Sequence, residues 1–524
     1  MAIHTLVASA KKPTAATPVR KVNPNSKVRF SVFAPTNTAA RDAYVAEQLK
    51  RIESGDLSGR ITDKSEFAHR FGATPAALKA AKRVVRKYKI DVEAVNPHSG
   101  EIQCYGYVRD VNKMIPNLDL SVVKIGDVEY RARHGAHQIN AKPGVITKVM
   151  GLDNVPLART HYRKLEPTVH LAAAAGTKPL ASGAFNPFDL MPIFGVQDNL
   201  GEGQTIGIIA LGGGYKAQDG IDYARNVLKV KGTITVRVNL VDKAKNKPDP
   251  GGADVETLLD VDGSLGAPGA TIIIAIAPNS DTGFAHGIGN LIDAGCDVIT
   301  ISWGSSESNW TQQGRDAMGQ EFTRAFAAGV SVYAAAGDNN APDSVDDGKV
   351  HADFPSSHPL VMSMIGLNLS KDGKKARIWN NGDSGSGGGV SDVYPQEAWE
   401  KAGIQVKSLN DGGVRHRVGG PAGPADPATG IIVSDGGKLE VVGGTSADGP
   451  LYAGFTARAN VAFGKRLGFY LPYIIANAGK NPKLVVPVTD GNNGLGGSGG
   501  YTAEQLTPGM VNFTALVAGL KASA

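Results

Sequence analysis

The sequence predicts an α/β protein: a large part built on a parallel sheet covered by helices on both faces, preceded by a smaller α+β domain. Two observations carry this. From residue 204 onward, strand-like runs that are apolar throughout alternate with helical stretches, the pattern of strands buried on both faces. Before residue 164, strand, helices and further strands follow one another without that regular alternation, which suits an α+β arrangement.

Four segments organise the chain. Residues 1 to 26, rich in Pro, Ala, Lys and Asn, read as a disordered basic arm. Residues 27 to 164 form the α+β domain. Its first strand is "KVRFSVFAP", and three helical stretches follow, the third, "TPAALKAAKRVVRKYK", capped by Thr74 with Pro75 at its first position. In "GEIQCYGYVRDV", Ile102, Cys104, Gly106 and Val108 alternate onto one face, the period of a strand. Residues 165 to 185, "LEPTVHLAAAAGTKPLASGAF", are small, Pro- and Gly-bearing and aperiodic, an exposed linker with a candidate processing site. Residues 186 to 524 hold the alternating strands and helices, from "QTIGIIALG" through "ATIIIAIAP" and "DVITISWG" to "VSVYAAAG".

Composition narrows the function. With 524 residues and 42% hydrophobic content the chain fills more than one core, and 66 glycines without a period point to tight turns rather than a fibre. The net charge of +6 is concentrated in the N-terminal arm and in residues 79 to 89, with no nucleic-acid motif beside it. Cys104 and Cys296 fall in different domains, which leaves no disulfide framework and no cysteine metal site. No apolar run is long enough for a membrane span or a signal peptide, so neither membrane nor nucleic acid is expected as a partner, and localisation stays open.

The residues that carry chemistry lie in the second half. "GGTSADGP" presents Ser446 where a glycine-rich turn feeds a helix, the setting of a nucleophile that needs a base. A histidine base would have to come from "SDTGFAHG", but Asp281 and His286 sit within about one and a half turns of one helix, too close to act as two independent triad members. An acidic base fits better. Glu256 and Asp260 in "GGADVETLLDVDGSL" are four apart and share a helix face, where like charges are unfavourable without a reason. Asp338 in "VYAAAGDNN" follows a buried strand at the carboxyl edge of the sheet, where a protonated carboxyl could donate into an oxyanion hole.

Eight motifs in order, "LGGGY", the E-x-x-x-D pair, "ISWG", "AAAGD", "HADFPSSHP", "SGGGVS", "ADPATG" and "GGTS", make the chain resemble the sedolisin family of serine-carboxyl peptidases over residues 182 to 515. "SEFAHRFGAT" and "VMGLD" resemble the family's propeptide. The resemblance implies a subtilisin-like fold behind a ferredoxin-like propeptide domain. It implies an acid-acting endopeptidase made as a zymogen and cut within residues 165 to 185. In that scheme Ser446 is the nucleophile, Glu256 the general base, Asp260 its orienting partner and Asp338 the oxyanion donor. Polypeptides are the substrates, and the propeptide is an intramolecular inhibitor that acid loosens.

The chain departs from the family at Ala210, where a relative's network has an acid, at Gly419 and Gly420 in place of a proline-aspartate pair, and at Asp448 in place of a small apolar residue. The family's calcium site loses its two aspartates to Pro487 and Thr502, so no cofactor or metal is expected, with Asp490 and Glu504 as the only nearby substitutes. The alternative reading is a degenerate, uncleaved peptidase fold that serves as a structural or binding component of a larger assembly such as a virion.

Overall fold

The computed structural model describes residues 3–165, 183–249, 252–436, 438–495 and 499–523. Its larger domain is built on an eight-stranded sheet. In spatial order the strands are Thr235–Leu240, Thr271–Ile276, Thr205–Ala210, Val298–Ile301, Ser331–Ala335, Met362–Leu369 and Ala376–Ile378, and Ala422–Pro424 also pairs with Met362–Leu369. Every pairing is parallel except that of the edge strand Ala376–Ile378. Ile206, Ile208, Ile272, Ile274 and Val298 are fully buried, as expected for strands covered on both faces. Helices Ala253–Ser264, Asp281–Asp293, Gln312–Ala327 and Asp448–Phe463 supply that cover.

The smaller domain is a four-stranded antiparallel sheet in the order Asp91–Asn96, Glu101–Tyr107, Lys27–Phe33, Lys148–Met150. With helices between the first and second and between the third and fourth strands in sequence, this is the ferredoxin-like order. Thr74 accepts the Ala77 N–H and Pro75 opens helix Pro75–Lys87, whose Leu78, Ala81 and Val85 pack under the sheet with Phe30 and Cys104. Cys104 and Cys296 are both buried free thiols.

The N-terminal arm differs from its reading as disordered. Ile3–Lys11 forms a strand paired antiparallel with Gly135–Asn140, and Pro18–Lys21 pairs with Ser121–Ile125. Leu6 and Ser9 turn inward and are buried, while Thr5, Val7 and Ala10 stay exposed. A stretch without strand alternation concealed a strand whose partner lies over a hundred residues away, and only that pairing makes it regular.

The two domains share one hydrophobic interior. Phe33, Leu49, Ile52, Leu57 and Met150 of the smaller domain belong to the same buried cluster as the large sheet. Polar contacts, buried to different degrees, cross the same seam. His286 Nε2 lies 2.7 Å from Glu101 Oε1 and its Nδ1 2.6 Å from Asp242 Oδ2, and His98 Nε2 lies 3.1 Å from Glu321 Oε1. Arg60 donates to the carbonyl oxygens of Arg466 and Leu467. The linker expectation falls almost entirely on residues 166–182, outside the described residues.

Candidate active site

The carboxyl ends of the parallel strands bring the four sequence-chosen residues to one place. Ser446 lies in the short turn Thr445–Ala447 that leads into helix Asp448–Phe463, and Asp338 lies three residues beyond strand Ser331–Ala335. Glu256 and Asp260 project from helix Ala253–Ser264, which is buried almost along its whole length. All four side chains are at most 1% exposed.

A segment that sequence reasoning missed runs through their midst. Arg159–Thr160 pairs antiparallel with Trp303–Ser306, and Arg163–Lys164 pairs antiparallel with Lys438–Gly443. Between them, His161 and Tyr162 cross the site. The His161 N–H points to the Ser302 carbonyl oxygen (3.2 Å) and to Glu256 Oε2 (3.1 Å). The His161 carbonyl oxygen accepts the Ser446 N–H at 3.0 Å. This is an extended peptide added to an open edge, the geometry by which a cleft holds a polypeptide.

Gly444 explains how the carbonyl gets in. Its φ of +101° lies in the glycine-favoured region, and a Cβ there would stand 2.2 Å from the His161 oxygen and 2.6 Å from Asp338 Oδ2. The peptide carbonyl and the Asp338 carboxyl therefore converge on space that only a glycine leaves free. Asp338 is fixed by its other oxygen, which accepts the Thr445 N–H (2.8 Å) and hydroxyl (2.9 Å). Its Oδ2 is left without a hydrogen-bond partner among the described residues, in position to donate when protonated.

Electrostatics favour protonated carboxyls. Burial, and then the neighbouring Asp260, push Glu256 well above the usual carboxylate range, while the nearby Ser446 hydroxyl pulls it back. Asp260 is likewise pushed well up by burial, against a 2.6 Å hydrogen bond from Ser302 Oγ that stabilises its charged form. Burial raises Asp338 too, opposed chiefly by His161. Like charges this close cannot both ionise, so the Glu256–Asp260 pair holds a proton that a lone surface acid would have lost. The Ser446 hydroxyl is turned toward the Ser302 carbonyl oxygen at 3.3 Å, and among the described residues Glu256 Oε1 has no hydrogen-bond partner.

No family model matches the chain. It is 34% identical over 448 residues to kumamolisin of Bacillus sp. (strain MN-32), an alignment spanning 83% of this chain and 80% of that protein. The chain belongs to the sedolisin family. It is also 26% identical to sedolisin of Pseudomonas sp. (strain 101) over 84% of this chain and 78% of that protein. Among solved structures, Pseudomonas sedolisin, a serine-carboxyl proteinase complexed with two molecules of pseudo-iodotyrostatin, superposes with a TM-score of 0.59. That match, at 23% identity, covers 66% of this chain and 99% of that one, and establishes the subtilisin-like fold. Family membership places the chain among serine-type peptidases, whose substrates are polypeptides.

The departures from the family have structural counterparts. A Cβ at Gly419 or Gly420 would meet the Leu506 or Ser363 carbonyl oxygen at 2.1 or 2.4 Å, so both sites are packed for glycine. Asp448 is fully buried, neither of its oxygens has a hydrogen-bond partner among the described residues, and burial followed by the Asp338 charge pushes its carboxyl well up. Thr502 is committed to a capping box with Gln505 at helix Ala503–Leu506, and Pro487 has no side-chain donor to offer an ion. The loop is tied by the buried Asn493 amide, which donates to the Gly387 and Gly388 carbonyl oxygens at 3.2 Å, and by Asn380 on Asn492 and Gly494. Asp281 and His286 do not form a triad: His286 is held by Glu101 and Asp242, and Asp281 bonds the neighbouring Thr282.

Proposed function

We propose that the protein is an acid-acting serine-carboxyl endopeptidase made as a zymogen, with the ferredoxin-like domain as propeptide and His161–Tyr162 as the bond it presents to itself. The supporting observation is the His161 carbonyl oxygen in the grip of the Ser446 N–H, beside the free Asp338 oxygen. Ser446 Oγ attacks the His161 carbonyl carbon as its proton passes to Glu256, with Asp260 steadying that carboxyl. The Ser446 N–H and the protonated Asp338 stabilise the oxyanion. Collapse breaks the bond to the Tyr162 nitrogen, which takes the proton from Glu256, and water then cleaves the acyl-enzyme with Glu256 again accepting a proton.

A carboxylate base works near its own pKa, and Asp338 must keep its proton, so activity belongs in acid. Hydrolysis of an unfolded polypeptide measured from pH 2 to pH 8 should trace a bell in the acid range, and Ser446→Ala should give none. Activity that peaks at neutral pH, or that survives Ser446→Ala, contradicts this reading. The Asn493 and Asn380 ties support a loop that needs no calcium. The interior shared by the two domains favours one other reading, an uncleaved structural component, which requires a full-length chain in its working assembly.

A further inference from the structure

Side chains of an extended peptide alternate, so Arg159 and His161 point the same way from the segment in the cleft, about 6.6 Å apart along it. They meet two buried acids. Arg159 donates to Asp343 Oδ1 at 2.7 Å and to the Asp343 carbonyl oxygen at 3.0 Å, and His161 Nε2 lies 3.1 Å from Asp353 Oδ2. The Asp343 side chain is 1% exposed and that of Asp353 0%. Among the described residues, Asp343 Oδ2 and both Asp353 oxygens lack a hydrogen-bond partner.

Two carboxyl groups sharing one dry pocket are costly unless a cation arrives. Burial, and then Asp353, push Asp343 well up, and Arg159 and His161 pull it back. The backbone is also held for this arrangement: Asn340, Asp343 and Ser344 all have positive φ, at 56°, 45° and 60°, a conformation that non-glycine residues adopt at a cost. Strain of that kind persists where the surroundings over-determine a site. On the far side of His161–Tyr162, Arg163 donates to Asn339 at 2.6 Å, and Lys164 Nζ lies 2.6 Å from Glu440 at the rim.

We propose that this cleft selects polypeptides by charge at the third residue on each side of the cut bond. Asp343 takes an Arg or Lys three residues before the bond's far end, where Arg159 lies, and Glu440 takes a Lys or Arg where Lys164 lies. The substrate class is therefore cationic, extended segments of unfolded protein. This rests on the peptidase reading of the site. The two contributions are unequal: a charge-assisted bond to a buried carboxyl is worth about tenfold or more in transition-state binding. The Lys164–Glu440 pair, with both side chains over a third exposed, is worth about twofold.

The test uses acid-processed enzyme and a synthetic peptide that copies residues 157 to 165. Arg159→Ala in the peptide should lower kcat/KM about tenfold or more, Arg159→Glu further, and Lys164→Ala about twofold. In enzyme carrying Asp343→Asn the ratio between the unsubstituted and the Arg159→Ala peptides should shrink to under about threefold, whatever the absolute rates. Equal cutting of the unsubstituted and Arg159→Ala peptides by the unmodified enzyme overturns the proposal. A second arm needs no catalysis. In the full chain carrying Ser446→Ala, trypsin should cut after Arg163 and Lys164 faster when Arg159→Ala is added, and an unchanged rate overturns the proposal. Peptides left uncut in every form, with Arg159→Ala still exposing the segment, refute the peptidase reading while supporting the acidic subsites.

Discussion

Glu256 and Asp260 in the cleft and Glu101 and Glu321 at the seam between domains are buried alike, yet their protons respond in opposite directions. Burial drives both members of the first pair well up, the Asp260 charge adds to the effect on Glu256, and only hydrogen bonds oppose the rise. Burial would raise the second pair too, but His286 with the Ser31 and Asn96 side chains holds Glu101 below its ordinary range, and Arg324 with His98 carries Glu321 far below. His286 in turn is held well above its ordinary value by Asp242 and Glu101, against its own burial. The partner, not the depth, sets the charge. One region keeps its protons, and the other keeps its charges paired across the seam.

The largest effect expected from that contrast is at Glu256. Glu256→Gln should lower kcat in acid by about a thousandfold, since the amide cannot accept the Ser446 proton. The same change should raise the melting temperature at pH 7. A carboxyl whose folded pKa lies above its unfolded value costs stability as pH rises past the unfolded value, and glutamine has no proton to lose. Near pH 3 the two proteins should melt together. A variant less stable than the parent at pH 7 breaks the assignment of Glu256 as an uncompensated acid.

The seam should show the opposite sign. Depressed carboxyl pKa values contribute stability above the ordinary carboxylate value, lost only as pH falls through the folded value. A raised histidine contributes below its ordinary value of 6.5, and that contribution fades as pH rises through the folded one. Both hold in full between about pH 4.5 and 6.5. His286→Ala should therefore lower unfolding free energy at pH 5.5 by about 2 kcal/mol, a buried-pair value discounted for partial exposure. Denaturant titration measures it, and adding Glu101→Gln should recover part of the loss. After cleavage, the N-terminal fragment should co-elute with the rest at pH 5. Separation there would show that mild acid loosens the seam. The smallest effect concerns the loop from Pro487 to Thr502, where a chelator should leave the melting temperature unchanged.

Much of this was legible in the sequence because it rested on short-range patterns. Apolar runs such as "TIIIAI" predicted buried strands, Thr74 and Pro75 marked a helix start, and the four-residue spacing of Glu256 and Asp260 put both acids on one face. What escaped depends on partners distant in sequence. Ile3–Lys11 becomes a strand only beside Gly135–Asn140, and the roles of Asp343, Asp353 and Ser302 emerge only when residues 159 to 164 lie across them. A usable signal was present in "ARTHYRK", a cationic stretch just ahead of the linker in a cleft otherwise supplied with acids. The linker drew the processing expectation and lies almost entirely outside the described residues; among the described residues, His161 lies against Ser446.

The most direct measurement is the N-terminus generated when purified protein is held at pH 4. The account predicts a new chain beginning at Tyr162 in the parent, and an intact chain with Ser446→Ala. A parent chain that stays whole, or identical cleavage in Ser446→Ala, would contradict the claim that this cleft cuts the peptide it holds.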